Sequence, residues 1–238
     1  IESGIGVAIS NRINSGYLLY SDNVVIGGTD NKAGVTRAMA SCAVIKDRQV
    51  YIFASLDYTS PTGGGKIFNS NDGLDFSQAG DFSISGISYQ ANISVYPEKQ
   101  SNGYYYGIVE GTLSGIWQMF LVRSLEFESG WEKVQTLTTL QHSSERMYGG
   151  PQLLKTVNDD RWIVLYHSST ELAGNVPTVL YAAESSELEP IIWTNKREIL
   201  PIGDELEYYS AYNCDQVATP FLIEENGNTY LSFVLAQN

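Results

Sequence analysis

The sequence predicts an all-β chain folded as a β-propeller of four four-stranded blades. Three observations lead to this prediction. Sixteen tyrosines and 22 glycines, against three methionines, favour strands and tight turns over helices. No stretch keeps a helical apolar period. A two-part pattern recurs at intervals near 60 residues, a length that fits propeller blades with generous loops. We expect residues 1–238 to form a single propeller domain.

The first part of the pattern is a strand that ends in serine and leads into a short polar turn. An apolar or aromatic residue follows the turn and opens another strand. The serines are Ser10, Ser70, Ser124 and Ser185, which lie 60, 54 and 61 residues apart. This regular spacing favours repeated units over chance, although a β-sandwich with coincidental spacing is the alternative.

The second part is an apolar strand, a turn rich in Asn, Asp or Gly, and an aromatic-rich strand. Such sequences are typical of β-hairpins. The four predicted hairpins lie within residues 43–53, 93–106, 151–166 and 220–233. The last has no serine turn after it, and the first serine turn has no hairpin before it. We therefore expect the N- and C-terminal strands to close one blade together, which removes exposed sheet edges.

Charge and motif content exclude several classes of function. A net charge of −13 disfavours nucleic acid and anionic membrane surfaces as partners. No apolar stretch approaches the roughly 18 residues that a membrane span requires. His142 and His167 are too few and too far apart for a zinc motif, and the glycine run at 63–65 lacks the spacing of a phosphate loop. We expect neither a metal nor a cofactor.

The blade motifs resemble those of the five-bladed propeller glycosidases, namely glycoside hydrolase family 43 and its relatives. Residues 70–76 and 185–193 resemble the family's turn before the fourth strand, and residues 149–155 and 219–223 resemble its inner strand. The resemblance covers nearly the whole chain and makes five blades the alternative to the four counted here. Similar propellers also serve as binding platforms in some phage receptor-binding proteins.

The same resemblance leaves the catalytic acids without matching positions. Enzymes of this kind need carboxylates as general acid and base at the starts of the inner strands. The family's Asp-Pro aspartate would fall at Ser41, near Ala91, at Gly150 and at Thr219, and the glutamate of its Glu-Gly-Pro motif would fall at Gly149. None of these positions holds a carboxylate.

The resemblance therefore favours a non-catalytic domain that recognises a glycan or a glycosylated surface. We expect such a domain to work outside the cell or at a surface. One alternative is a glycoside hydrolase with displaced carboxylates. The other is a structural propeller within a larger assembly.

A propeller site forms at one mouth of the channel, where first strands begin and second strands end. Aromatic faces stack on sugar rings there, while arginines and carboxylates bond to hydroxyl groups. The candidate ligand contacts are Arg37, Tyr89, Arg146, Tyr148, His167, Tyr212 and Asp215. If the protein is a hydrolase, its candidate carboxylates are Asp57, Glu110 and Asp215.

The alignment of repeats also bears on the cysteines. Cys42 occupies the proline position of its blade, whereas Cys214 lies six residues before that position in its own. Six residues of strand span roughly 20 Å, and a disulfide requires Cα atoms within about 7 Å. The register therefore predicts two free thiols.

Overall fold

The computed structural model describes most of the chain between residues 38 and 236 and four short segments before it. The described residues are 4–5, 8–9, 18–19, 26–27, 38–56, 61, 64–140, 147–156, 159–169, 179–200, 216–225 and 228–236. Apart from one 3₁₀ turn at Thr138–Leu140, all regular structure in these ranges is β-strand. The all-β prediction is therefore confirmed.

Eighteen strands are described. They are β1 (Gly4–Ile5), β2 (Ala8–Ile9), β3 (Leu18–Leu19), β4 (Ile26–Gly27), β5 (Ala38–Lys46), β6 (Gln49–Leu56), β7 (Gly64–Ser70), β8 (Ser77–Phe82), β9 (Ser88–Tyr96), β10 (Tyr105–Leu113), β11 (Ile116–Ser124), β12 (Glu132–Thr136), β13 (Met147–Lys155), β14 (Trp162–Ser169), β15 (Val179–Ser185), β16 (Thr194–Leu200), β17 (Gln216–Glu225) and β18 (Asn228–Ala236).

Three sheets have four strands each, and in all three the strands are neighbours in chain order: β5 to β8, β9 to β12 and β13 to β16. This meander is the arrangement expected of a propeller blade. Strands β17 and β18 form a further hairpin at the predicted place, and β2 pairs with β3. Closure of a blade by the two termini depends largely on residues 1–37, most of which lie outside the described residues, and it stays a prediction.

The chain divides into two compact units. The first comprises residues 1–106 and 123–132, and the second residues 107–122 and 133–238. An aromatic cluster lies in the core of the first unit, where Phe53 makes edge contacts with Phe82, Phe127 and Trp131 at centroid distances of 5.5, 5.4 and 6.1 Å. The core of the second unit contains Tyr166, whose ring is wholly buried. The single domain expected over residues 1–238 stays a prediction.

A β-bulge interrupts the first strand of three repeats at the same place. The bulges lie between Ala40 and Cys42 in β5, between Gly149 and Gln152 in β13, and between Ala218 and Phe221 in β17. Each inserts one extra residue against the second strand and so changes the direction in which neighbouring side chains point. Ser41, Gly150 and Thr219 lie within these bulges. The positions aligned by sequence are therefore structurally equivalent.

The predicted serine turns are built around a buried hydroxyl. Ser70, Ser124 and Ser185 are each no more than 4% exposed. Their hydroxyls accept hydrogen bonds from backbone amides two or three residues on, at Asp72 and Gly73, at Glu126 and at Glu187. The serine hydroxyl is a hydrogen-bond partner for backbone amides of the turn, so the side chain stabilises the turn. This explains why serine recurs at the same place in each repeat. Ser10 lies outside the described residues.

Cys42 is buried and has a free thiol, as predicted. Burial raises the pKa of this thiol to about 11. Cys214 lies outside the described residues.

Candidate functional site

The bulge of β13 is the best described part of the predicted mouth. Gly150 has a φ of 58°, in the left-handed region that favours glycine. Its amide donates a hydrogen bond of 2.5 Å to Oε2 of Glu110, which lies on β10. Glu110 is only 4% exposed. A carboxylate so buried requires such a donor, because an unpaired buried charge is costly.

Gly149 provides the space for this carboxylate. A Cβ atom added at Gly149 would lie 2.1 Å from Oε2 of Glu110, far inside contact distance. The Glu110 carboxyl group therefore lies directly against the Gly149 backbone. The resemblance placed the family's glutamate at position 149. A side chain there is incompatible with the present position of Glu110, so the two arrangements exclude each other.

His167 lies on the same side of the sheet. It is the cross-strand partner of Gly149 in the β13–β14 register, and directly opposed residues of an antiparallel pair present their side chains on one face. Glu110 contacts that face of Gly149. Burial lowers the pKa of His167 to about 4, so the imidazole is neutral at neutral pH. Two of the predicted residues are thus placed at the bulge: Glu110 lies against Gly149, and His167 is opposite Gly149 in the strand register.

Tyr148 precedes the glycine pair and is the cross-strand partner of Ser168. Its side chain is completely buried, and burial raises the pKa of the phenol to about 12. The predicted role of Tyr148 as a ligand contact stays a prediction, although its ring is part of the core.

Tyr89 is half-buried at the start of β9, with a φ of 53°. A positive φ in a residue other than glycine is uncommon and persists when the surroundings hold it in place. The next residue, Gln90, is buried, and its side-chain amide bonds to the backbone of Ile84 and Ile87. Gln90 therefore fixes the backbone that presents Tyr89.

The other predicted ligand contacts and carboxylates lie outside the described residues. They are Arg37, Asp57, Arg146, Tyr212 and Asp215. Within the described ranges no group of three His, Cys, Asp or Glu residues is arranged to hold a metal ion. Nor does that part of the chain contain a helix long and apolar enough to cross a membrane.

Sequence reasoning missed the role of Gln152, which follows the β13 bulge. Its side chain donates to the Leu222 carbonyl at 3.0 Å and accepts from the Leu222 amide at 2.6 Å. These two hydrogen bonds join β13 to β17 beside the bulge. The available signal was a polar residue in an otherwise apolar first strand, Pro-Gln-Leu-Leu, where a buried amide needs a paired partner.

No family model and no curated protein matches the chain. Several solved structures are similar to the chain. A thermostable family-43 glycoside hydrolase is 14% identical, over 83% of this chain and 64% of its own, with a TM-score of 0.64. β-1,2-Mannobiose phosphorylase from Listeria innocua is 16% identical over 92% and 60%, with a TM-score of 0.66. The GH43_1 enzyme from Xanthomonas citri, complexed with xylotriose, is 14% identical over 84% and 70%, with a TM-score of 0.59.

The chain thus has the glycosidase-like β-propeller fold that its motifs predicted. At identities of 14–16% the likeness establishes the fold alone. The chain also spans less than two thirds of the length of the first two structures.

Proposed function

We propose that the protein is a carbohydrate-recognising β-propeller domain that binds a glycan or a glycosylated surface without cleaving it. Its fold is shared with a family-43 glycoside hydrolase and with an enzyme complexed with xylotriose, so the same scaffold holds sugars in other proteins. A location outside the cell or at a cell surface would suit this role.

The observation that carries the proposal is the state of the Glu110 carboxylate. A general acid or base must reach the proton that it transfers. Glu110 is buried and hydrogen-bonded to the Gly150 amide, so it supports the backbone instead of facing a ligand. The bulge positions Ser41, Gly150 and Thr219 carry no carboxylate of their own.

A glycoside hydrolase with displaced carboxylates is the second candidate. It is favoured by the placement of Glu110 and His167 at the bulge where the resemblance puts a catalytic acid. Such an enzyme would need Asp57 or Asp215 as partner, at about 5–5.5 Å from Glu110 for retention or about 6.5–9.5 Å for inversion.

Glycan-array binding and a panel of chromogenic glycosides, applied to the same preparation, separate these functions. We expect saturable binding to the array and no turnover, with E110Q unchanged in both assays once its fold is verified by circular dichroism. Turnover by the wild type that E110Q abolishes would overturn the binding-only proposal. Neither binding nor turnover would favour the structural propeller in a larger assembly.

A further inference from the structure

A second concave site lies in the first compact unit, at the turns that follow β5 and β9. Residues 45–47, residues 97–99 and Tyr105 form an open pocket of about 400 Å³. The pocket lies at the end of β5 opposite to the Ser41 bulge, so it does not belong to the predicted mouth. Its volume is within the range of small-ligand sites.

Two lysines define the chemistry of this pocket. The Nζ atoms of Lys46 and Lys99 lie 5.9 and 5.2 Å from the centre of the Tyr105 ring, and Nζ of Lys46 also lies 5.5 Å from the centre of the Phe127 ring. Lys46 also bonds to Asp47. Lys99 is exposed and forms no ion pair within the described residues. The lining thus holds two ammonium groups and the carboxylates of Asp47 and Glu98, and the ammonium group of Lys99 is the one that no ion pair occupies within the described residues.

The remaining residues that line the pocket are apolar side chains and two carboxylates. Ile45 is 73% exposed, which is high for a large aliphatic side chain, and it stands beside Pro97 and the half-buried Tyr105. Asp47 and Glu98 add carboxylate oxygens that accept hydrogen bonds from hydroxyl groups. An apolar surface, two ammonium donors and two acceptors together match a hydroxylated ring that carries a negative group.

We infer that this pocket binds an anionic saccharide, meaning a sugar unit with a carboxylate or a sulfate. The negative group lies between the ammonium groups of Lys46 and Lys99, and the apolar face of the sugar ring packs on Ile45 and Pro97. Hydroxyl groups of the sugar donate to Asp47 or Glu98. The inference is independent of the function proposed for the mouth, because it uses none of the same residues.

Isothermal titration with three probes tests the inference: trigalacturonate, a heparin-derived tetrasaccharide and neutral maltotriose. We expect one or both anionic probes to bind, more weakly at about 300 mM than at about 25 mM salt, and maltotriose to bind at least tenfold more weakly. The two anionic probes distinguish a carboxylate from a sulfate as the recognised group. K99Q should raise the Kd of the preferred probe about tenfold, and K46Q/K99Q should remove measurable binding.

Lys155 provides the matched control. It occupies the place of Lys46 in another repeat, its Nζ lies 5.1 Å from the centre of the Trp162 ring, and it pairs with Asp160 at 2.7 Å. K155Q should leave the Kd within twofold of the wild-type value. An equal loss in K155Q and K99Q would show general charge attraction and would overturn the inference.

Equal binding of maltotriose would overturn it as well, as would no binding of either anionic probe at millimolar concentration. Anionic binding that K46Q/K99Q leaves intact would place the site elsewhere and contradict it too. If no neutral glycan binds on the array, the function proposed for the mouth fails. That outcome is distinct from the results of the titrations with anionic probes. Thermal melts of each variant verify folding.

Discussion

The Glu110 carboxylate accepts a hydrogen bond from the Gly150 amide, and its oxygen occupies the space that a side chain at Gly149 would fill. The glycine pair and the glutamate therefore depend on each other. The packing of Glu110 requires glycine at position 149. Glu110 in turn accepts a hydrogen bond from the Gly150 amide, which lies in the bulge of β13. The proposal of binding without cleavage rests on this arrangement of Glu110.

Substitution of Gly149 by alanine tests this dependence. The added methyl group would overlap Oε2 of Glu110, so G149A should lower the free energy of unfolding by about 2 kcal/mol. E110A should lower it by about 2–3 kcal/mol, because it leaves the buried Gly150 amide unpaired. Urea denaturation at neutral pH gives both values.

The double variant G149A/E110A is the decisive comparison. Without the Glu110 carboxyl group the new methyl has room, so the double variant should lose less than the sum of the single losses, by about 1 kcal/mol or more. Additive losses would show that Gly149 and Glu110 do not compete for the same space.

His167 predicts a dependence of stability on pH. Burial lowers its pKa from 6.5 to about 4, so the unfolded chain binds the proton more readily than the folded chain does. The stabilisation is complete above pH 6.5 and is lost as the pH falls toward 4. Between pH 7 and pH 5 the wild type should lose about 2 kcal/mol through this residue alone.

Urea denaturation at several pH values, with H167N as the comparison, isolates this contribution. H167N should be less sensitive to pH in that window, whatever its stability at pH 7. Equal slopes for wild type and H167N would contradict the burial of a neutral imidazole.

The repeat was predictable from sequence because local chemistry produces it. Ser70, Ser124 and Ser185 bond to backbone amides in their own turns, so they recur at the same place in each blade. Ser41 and Gly150 were aligned correctly because the bulge is a local feature of each first strand.

The site itself was less predictable, since it depends on packing between sheets. Glu110 is 40 residues from Gly150, and the sequence carries no sign that its side chain reaches that amide. Tyr148 and His167 both lie near the bulge in the strand register, and the sequence carries no sign that both side chains are buried there. Gln152 bonds to Leu222, 70 residues away, and only the arrangement of β13 beside β17 pairs them.

The serine turns provide a third prediction. The Ser185 hydroxyl accepts from the Glu187 amide and donates to the Glu187 carbonyl at 2.7 Å. S185A should lower the free energy of unfolding by about 1 kcal/mol, because the amide and the carbonyl of Glu187 both lose the hydroxyl that bonds to them. The neighbouring Ser186 is exposed, so S186A should change stability by less than about 0.5 kcal/mol. Equal effects in urea denaturation would show that the hydroxyl of Ser185 does not support the turn.

The Cys42 thiol should be almost inert in the folded protein. Burial raises its pKa from 9.0 to about 11, and the thiolate is the reactive species, so at pH 8 its thiolate fraction is about 100-fold lower than in the unfolded chain. C214S isolates Cys42, and iodoacetamide labelling followed by mass spectrometry should be at least about 100-fold slower without denaturant than with it. Labelling at similar rates in both conditions would show that Cys42 is open to solvent. Because the first-strand register places Cys42 just after the bulge of β5, such a result would also contradict the alignment of repeats from which the mouth is predicted.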